Sequence, residues 1–133
     1  MNKKEERIEY WLDIAEYDLE TASMMLKTKR YLYLGFMCHQ VLEKSLKAYF
    51  WYSMESEPPY THNLLILAKK SELLDLIDED KRQLLNELIP LNIQARYPED
   101  KIALLKSLNY NKSRSILKRT KDFSKWIKKL LIK

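Results

Sequence analysis

The sequence is nearly devoid of glycine and cysteine, and these scarcities exclude several kinds of protein. With one glycine, Gly35, it has no glycine-rich phosphate-binding loop. Its lone cysteine, Cys38, cannot form an internal disulfide, and one cysteine with two histidines is too few for a standard zinc site. No apolar run approaches the roughly 20 residues that cross a bilayer. We therefore expect residues 1–133 to form a single cytoplasmic domain without metal, cofactor or membrane contact.

The apolar periodicity is that of amphipathic helices. Between Ile8 and Leu26, for example, apolar residues recur at three- and four-residue steps and acidic residues fall on the opposite side. Thr61 is a plausible N-cap, Pro90 should bend its helix, and Pro98 should end it. The predicted helices run over about 4–28, 31–55, 62–76, 78–97 and 111–131. The sequence therefore predicts an all-α fold, an antiparallel up-and-down bundle of four to five helices.

Four polar residues of the predicted second helix stand out because their neighbours are apolar. They are Gln40, Glu43, Lys44 and Lys47, which follow helical spacing. Glu43 and Lys47 form a favourable i,i+4 pair. The group is either a solvated or internally paired stripe, or a polar patch at an interface or groove.

Three further residues, Arg96, His39 and His62, have both a structural and a chemical interpretation. Arg96 lies near the end of the predicted fourth helix, where it can bond terminal carbonyls or hold a phosphate with its planar guanidinium. His39 lies one turn before Glu43 and is expected to be half-buried rather than to act as a base. His62 follows the predicted cap, so a local hydrogen bond is its simpler role.

Positive charge is concentrated in residues 101–133, which contain eleven Lys or Arg and a single acidic residue, Asp122. Five of these basic residues share one face of the predicted last helix: Arg114, Lys118, Lys121, Lys125 and Lys128. Such a stripe can follow the phosphates of a nucleic acid. It can equally be a solvated surface beside the acidic first helix.

Several segments, in order along nearly the whole chain, resemble the HEPN family. They are Trp11-Leu12 with Ala15, Asp18-Leu19 and Ala22; Cys38 to Ala48, similar to the family's Gln-x-x-Glu-Lys-x-Leu-Lys-Ala core; Thr61-His62-Asn63-Leu64, with Asn63 where the family has Asp; Ala95-Arg96-Tyr97-Pro98; and the late Trp126. The resemblance implies a bundle of four to five helices that is usually a homodimer.

The resemblance also implies chemistry on RNA or nucleotides. Many HEPN proteins are metal-independent ribonucleases, often toxins paired with a small nucleotidyltransferase antitoxin, and their signature is an Arg followed a few residues later by a His. Arg96 matches that Arg, but no His follows it in the chain. The leading hypothesis is therefore a homodimeric protein that binds nucleotide or RNA and acts with a nucleotidyltransferase in a toxin–antitoxin-like pair, as the Ala-Arg-Tyr-Pro subset implies.

Under this hypothesis a set of polar residues binds nucleotide, RNA or the partner: Gln40, Glu43, Lys44, Lys47, His62, Arg96 and Tyr97. Two alternatives stay open. In the first, the protein is a metal-independent ribonuclease toxin with an atypical site, in which His62 or His39 replaces the absent imidazole and works with Arg96. In the second, it is a helical protein-interaction module whose polar stripes are solvated.

Overall fold

The computed structural model describes residues 2–94, 103 and 106–132, with only the backbone of residues 93 and 94. Within these ranges the chain forms five α-helices and no strand, which confirms the predicted all-α bundle. The helices are α1 (Lys3–Lys27), α2 (Tyr31–Met54), α3 (Leu64–Lys70), α4 (Glu79–Gln94) and α5 (Tyr110–Leu131), and a 3-10 turn (Leu73–Asp75) follows α3. No helix in the described part is long and apolar enough to cross a membrane.

Helix α2 is the centre of the bundle, because α1, α3, α4 and α5 all pack against it. Three of its leucines, Leu34, Leu42 and Leu46, are completely buried in the common core. Helix α1 runs antiparallel to it, so that Lys4 near the start of α1 lies 3.4 Å from Glu55, just past the end of α2. Because other helices surround it, α2 also buries some of its polar side chains, and the candidate site lies among them.

Helices α4 and α5 also run antiparallel to each other. Lys81 in the first turn of α4 lies 4.8 Å from the ring centre of Trp126 near the end of α5. One and a half turns further along α4, the Glu87 carboxylate lies 2.6 Å from Lys112 Nζ and 2.7 Å from an Arg119 nitrogen. These contacts hold α5 alongside α4 in a fixed register.

The single glycine lies where α2 and α4 approach closely. A Cβ atom added to Gly35 would lie 2.9 Å from Cδ1 of Leu91, which is closer than van der Waals contact allows. Pro90 lies within α4, as predicted, and the helix continues past it to Gln94. A side chain at Gly35 would therefore require the end of the Leu91 side chain to shift.

The predicted third helix is wrong at both ends. Its N-cap is Asn63, whose Oδ1 accepts hydrogen bonds from the backbone nitrogens of Leu65 (2.9 Å) and Ile66 (3.1 Å). Thr61, the predicted cap, instead accepts a bond from the Asn63 backbone nitrogen at 3.1 Å. At the other end the helix stops at Lys70, and Glu72, just beyond its C-cap, has a φ of 69°. The predicted end of the fourth helix near Tyr97 lies outside the described residues.

Candidate functional site

A buried carboxylate, that of Glu43, is the centre of the candidate site. Its side chain is 0% exposed, and each of its oxygens has its own partners. Oε2 accepts hydrogen bonds from Lys47 Nζ at 3.1 Å and Lys44 Nζ at 3.3 Å. Oε1 lies 3.0 Å from His62 Nδ1, in the segment before α3. These contacts offset the large cost of removing a charge from water.

The network continues from α2 to α4. Lys44 Nζ also donates to Gln40 Oε1 at 3.0 Å, and Gln40 Nε2 donates to Asn92 Oδ1 at 3.3 Å. The four polar residues of α2 are therefore paired with one another. We call the group formed by Gln40, Glu43, Lys44, Lys47, His62 and Asn92 the Glu43 cluster.

The two lysines set the charge state of Glu43. Burial by itself would raise the pKa of this carboxyl, but the adjacent ammonium groups of Lys44 and Lys47 lower the pKa below its ordinary value. Glu43 is thus ionised at neutral pH. Beside the cluster, burial raises the pKa of Asp18 on α1, with Lys44 opposing this effect and Glu43 adding to it.

The two histidines are placed very differently around Glu43. The His62 side chain is 55% exposed, so one nitrogen faces Glu43 while the rest of the ring faces solvent. When Nδ1 donates to the carboxylate, Nε2 is left as the acceptor. His39 is 1% exposed, rather than half-buried as predicted, with Nδ1 at 3.9 Å from Glu43 Oε1. Burial lowers the pKa of His39 to about 4, so its ring is neutral.

Trp11 on α1 also borders the cluster, although it is not among the predicted site residues. Its ring centre lies 5.1 Å from Lys47 Nζ and 6.0 Å from Lys44 Nζ. A signal for this contact exists in the sequence. Trp11 and Lys47 are equally far from Lys29, the middle of the short link between α1 and α2, so an antiparallel pairing of the two helices brings them together. No pattern in the sequence indicated that Asn92 would join the cluster.

Two of the predicted site residues, Arg96 and Tyr97, lie outside the described residues. The other five, Gln40, Glu43, Lys44, Lys47 and His62, come together in the Glu43 cluster. The cluster offers ammonium donors for an anion and an exposed imidazole held by a carboxylate. Over residues 2–94, 103 and 106–132, no three His, Cys, Asp or Glu side chains are arranged to hold a metal ion.

The predicted basic stripe forms an exposed face of α5. Its members Arg114, Lys118, Lys121, Lys125 and Lys128 are all exposed. Lys118 Nζ lies 2.9 Å from Asp122, and Lys128 Nζ lies 3.8 Å from Glu16. Helix α1 thus lies beside one end of the stripe. We call these five residues the α5 stripe; among the described residues, no hydrogen bond or ion pair joins it to the Glu43 cluster.

Comparison with protein families matches the HEPN domain to residues 8–130. The chain belongs to the HEPN family. The match spans all but the first few residues of α1 and the last of α5, and it includes the whole Glu43 cluster. HEPN membership indicates a helical protein with a nucleotide- or RNA-related role. No curated protein and no solved structure matches the chain.

Proposed function

We propose that this HEPN protein, a single domain over residues 1–133, binds nucleotide or RNA at the Glu43 cluster. We further propose that it acts as the partner of a nucleotidyltransferase in a toxin–antitoxin-like pair. The observation that supports binding is the ionised, buried Glu43, which holds Lys44, Lys47 and His62 in fixed positions at the protein surface. Preorganised donors of this kind bind an anion without first having to be ordered.

The lysines keep hydrogen-bonding capacity for a ligand. An ammonium group has three N–H donors. Among the described residues, Lys44 uses two of them, on Gln40 and Glu43, and Lys47 uses one, on Glu43. Their side chains are 17% and 14% exposed. The unused donors therefore lie at the edge of the cluster, where a phosphate group can reach them.

The proposed partnership rests on the chain around Arg96. Ala95-Arg96-Tyr97-Pro98 resembles the HEPN subset associated with small nucleotidyltransferases, and no His follows Arg96 in the sequence. A binding role needs no imidazole after that Arg, whereas the family's usual cleavage reaction does. Binding without cleavage is therefore the leading proposal.

Lysine substitution tests whether the cluster is the binding site. We expect Lys47→Gln to weaken the binding of a fluorescent single-stranded RNA about tenfold, the effect of losing one charge-assisted hydrogen bond. The matched control is Lys112→Gln, because Lys112 is also paired with a glutamate, Glu87, but lies outside the cluster. Equal affinities of the two variants would contradict the proposed site.

A second candidate function, metal-independent RNA cleavage, is favoured by one contact. Nδ1 of His62 lies 3.0 Å from the buried Glu43 carboxylate, the kind of arrangement that orients an imidazole as a general base through its other nitrogen. In this mechanism Nε2 of His62 would take the proton of a ribose 2′-OH as its oxygen attacks the adjacent phosphorus. The 5′-oxygen would leave and take up a proton from water, and Arg96 would stabilise the phosphate. Cleavage in EDTA that both His62→Ala and Arg96→Ala abolish would establish this alternative.

We also propose that the protein forms a homodimer through an apolar face of α1 and α2. Tyr17, Met24 and Tyr33 are 71%, 53% and 48% exposed. Tyr33 borders a groove lined also by Thr21, Met25, Arg30, Phe36 and Met37. Exposed apolar patches of this kind mark interaction sites. In sedimentation experiments we expect the wild type to be a dimer and Tyr33→Glu to be a monomer. A monomeric wild type that stably binds another protein would instead favour the interaction-module alternative.

A further inference from the structure

Two nitrogen donors on α1, beside the Glu43 cluster, have no acceptor among the described residues. They are Nε of Arg7 and Nε1 of Trp11, and both atoms are buried. Each can only donate a hydrogen bond. Buried donors are nearly always paired in folded proteins, so each unpaired donor calls for an explanation.

Trp11 lies near the lysines of the cluster, and Arg7 lies one turn before Trp11 on α1. Arg7 and Trp11 are one turn apart on α1, so their side chains are neighbours. Lys47 Nζ lies 5.1 Å from the Trp11 ring centre and Lys44 Nζ lies 6.0 Å from it. This corner between α1 and α2 thus brings together four side chains that can donate hydrogen bonds but cannot accept them.

Neighbouring contacts hold Lys44, Lys47 and Trp11 in place. The Glu43 carboxylate fixes Lys44 and Lys47, and the edge of Tyr10 packs on the Trp11 ring with 5.0 Å between ring centres. Arg7 is held only weakly, since its one described hydrogen bond, to Glu57, is 3.4 Å long. Its side chain is 36% exposed, so the guanidinium can turn toward a ligand.

The donors determine the chemistry of a ligand. Guanidinium, indole N–H and ammonium groups together fit an oxyanion with several acceptor oxygens, and a phosphate offers more of them than a carboxylate does. We infer that Arg7, Trp11 and Lys47 form a subsite for the phosphate group of a mononucleotide or of an RNA backbone. This inference rests on the proposed nucleotide- or RNA-binding function and places the phosphate on the α1 side of the Glu43 cluster.

Indole N–H signals in ¹H–¹⁵N NMR spectra test the subsite in the wild-type protein. The chain has three tryptophans, Trp11, Trp51 and Trp126. Titration with inorganic phosphate, and then with AMP, should shift the Trp11 indole signal saturably and downfield, because the N–H gains a charged acceptor. Adenosine should leave it in place, and the Trp126 signal should not move with any of the three. A single-stranded oligonucleotide that shifts the signal while AMP does not would assign the subsite to the RNA backbone.

Matched variants give a second, independent readout. Trp11→Phe keeps an aromatic ring but removes the donor, and we expect it to weaken AMP or RNA binding about tenfold. Trp126→Phe is the control, because Trp126 also packs against a lysine, Lys81, but lies away from the cluster. Arg7→Gln should weaken binding in the same way.

The outcomes separate the subsite from the proposed function. AMP or RNA binding with a stationary Trp11 signal, and with unchanged affinity in Trp11→Phe and Arg7→Gln, would overturn the phosphate subsite and leave nucleotide binding intact. Absence of binding by phosphate, AMP and RNA alike would overturn both.

Discussion

Charged side chains are held very differently in the Glu43 cluster and in the α5 stripe. Glu43 is 0% exposed, and its partners come from α2 itself and from the segment before α3. Lys118 and Asp122 in α5 form a similarly short pair, 2.9 Å, but their side chains are 75% and 59% exposed. Solvent screens the exposed pair of Lys118 and Asp122 almost completely, whereas the Glu43 carboxylate is shielded from solvent.

Because of this difference, the Glu43 cluster can hold side chains in a fixed geometry, whereas the α5 stripe can only attract anions in general. In the cluster, loss of one member leaves a buried charge without its partner, so the arrangement is stable only as a whole. In the stripe, each lysine acts almost independently and adds to a long-range field without fixing any shape. A site that recognises a particular chemical group is therefore expected in the cluster, and sequence-independent attraction of a polyanion in the stripe.

Removal of the central carboxylate should have the largest effect. We expect Glu43→Ala to lower the free energy of unfolding by about 3 kcal/mol or more, because it leaves the mostly buried Lys44 and Lys47 without their carboxylate partner. The control Asp122→Ala breaks the exposed pair with Lys118 and should cost within about 0.5 kcal/mol. Urea unfolding measures both, and similar losses in the two variants would erase the distinction between the regions.

The next largest effect on stability is expected on acidification, because of the buried His39. The folded protein keeps His39 neutral until about pH 4, while the unfolded chain takes up the proton below its ordinary pKa of 6.5. The free energy of unfolding should therefore fall between these two pH values, by about 3 kcal/mol in total. The pKa of Glu43 is lowered in the folded protein. Its contribution to the free energy of unfolding is therefore present above the ordinary pKa of 4.5 and is lost only as the pH falls through the lowered pKa of the folded state.

A variant isolates the histidine in this pH range. His39→Gln has no proton to take up, so its stability should change much less between pH 6.5 and 4 than that of the wild type. Urea unfolding at several pH values gives the comparison. Parallel curves for the two proteins would mean that other groups cause the loss.

Substitutions in the α5 stripe are expected to have the smallest effect on stability but a clear effect on RNA binding. The double substitution Lys121→Gln and Lys125→Gln should change the free energy of unfolding by less than about 0.5 kcal/mol. It should reduce the slope of RNA affinity against salt concentration by about two, one for each lost phosphate contact. The control pair Lys69→Gln and Lys70→Gln makes the same charge change on exposed positions of α3. Equal slopes for the two double variants would mean that the stripe does not bind RNA.

The long helices were predictable from the sequence, and the short one was not. Helices α1, α2 and α5 begin and end within one or two residues of the predicted positions, because their apolar periodicity extends over five turns or more. In α3 the seven helical residues are too few for a clear period. Its bounds depend instead on the Asn63 side chain, which caps the helix in competition with Thr61, and on Glu72, which adopts a left-handed conformation.

The candidate site was predictable only as far as contacts within one helix determine it. The spacing of Glu43 and Lys47 predicted their pairing, and the structure confirms this pair. The contacts of Glu43 with His62 and of Gln40 with Asn92 join residues far apart in sequence, so helical spacing could not predict them. The full burial of Glu43 depends on the same packing of other elements around α2.

The most direct test of the proposed function follows binding and cleavage in one sample. Labelled single-stranded RNA is incubated in EDTA with the wild type or with His62→Ala, and each sample is divided between a native gel and a denaturing gel. We expect the wild type to shift RNA that stays intact, and His62→Ala to shift less of it. RNA that the wild type cleaves and His62→Ala leaves whole would contradict binding without cleavage and would establish a ribonuclease.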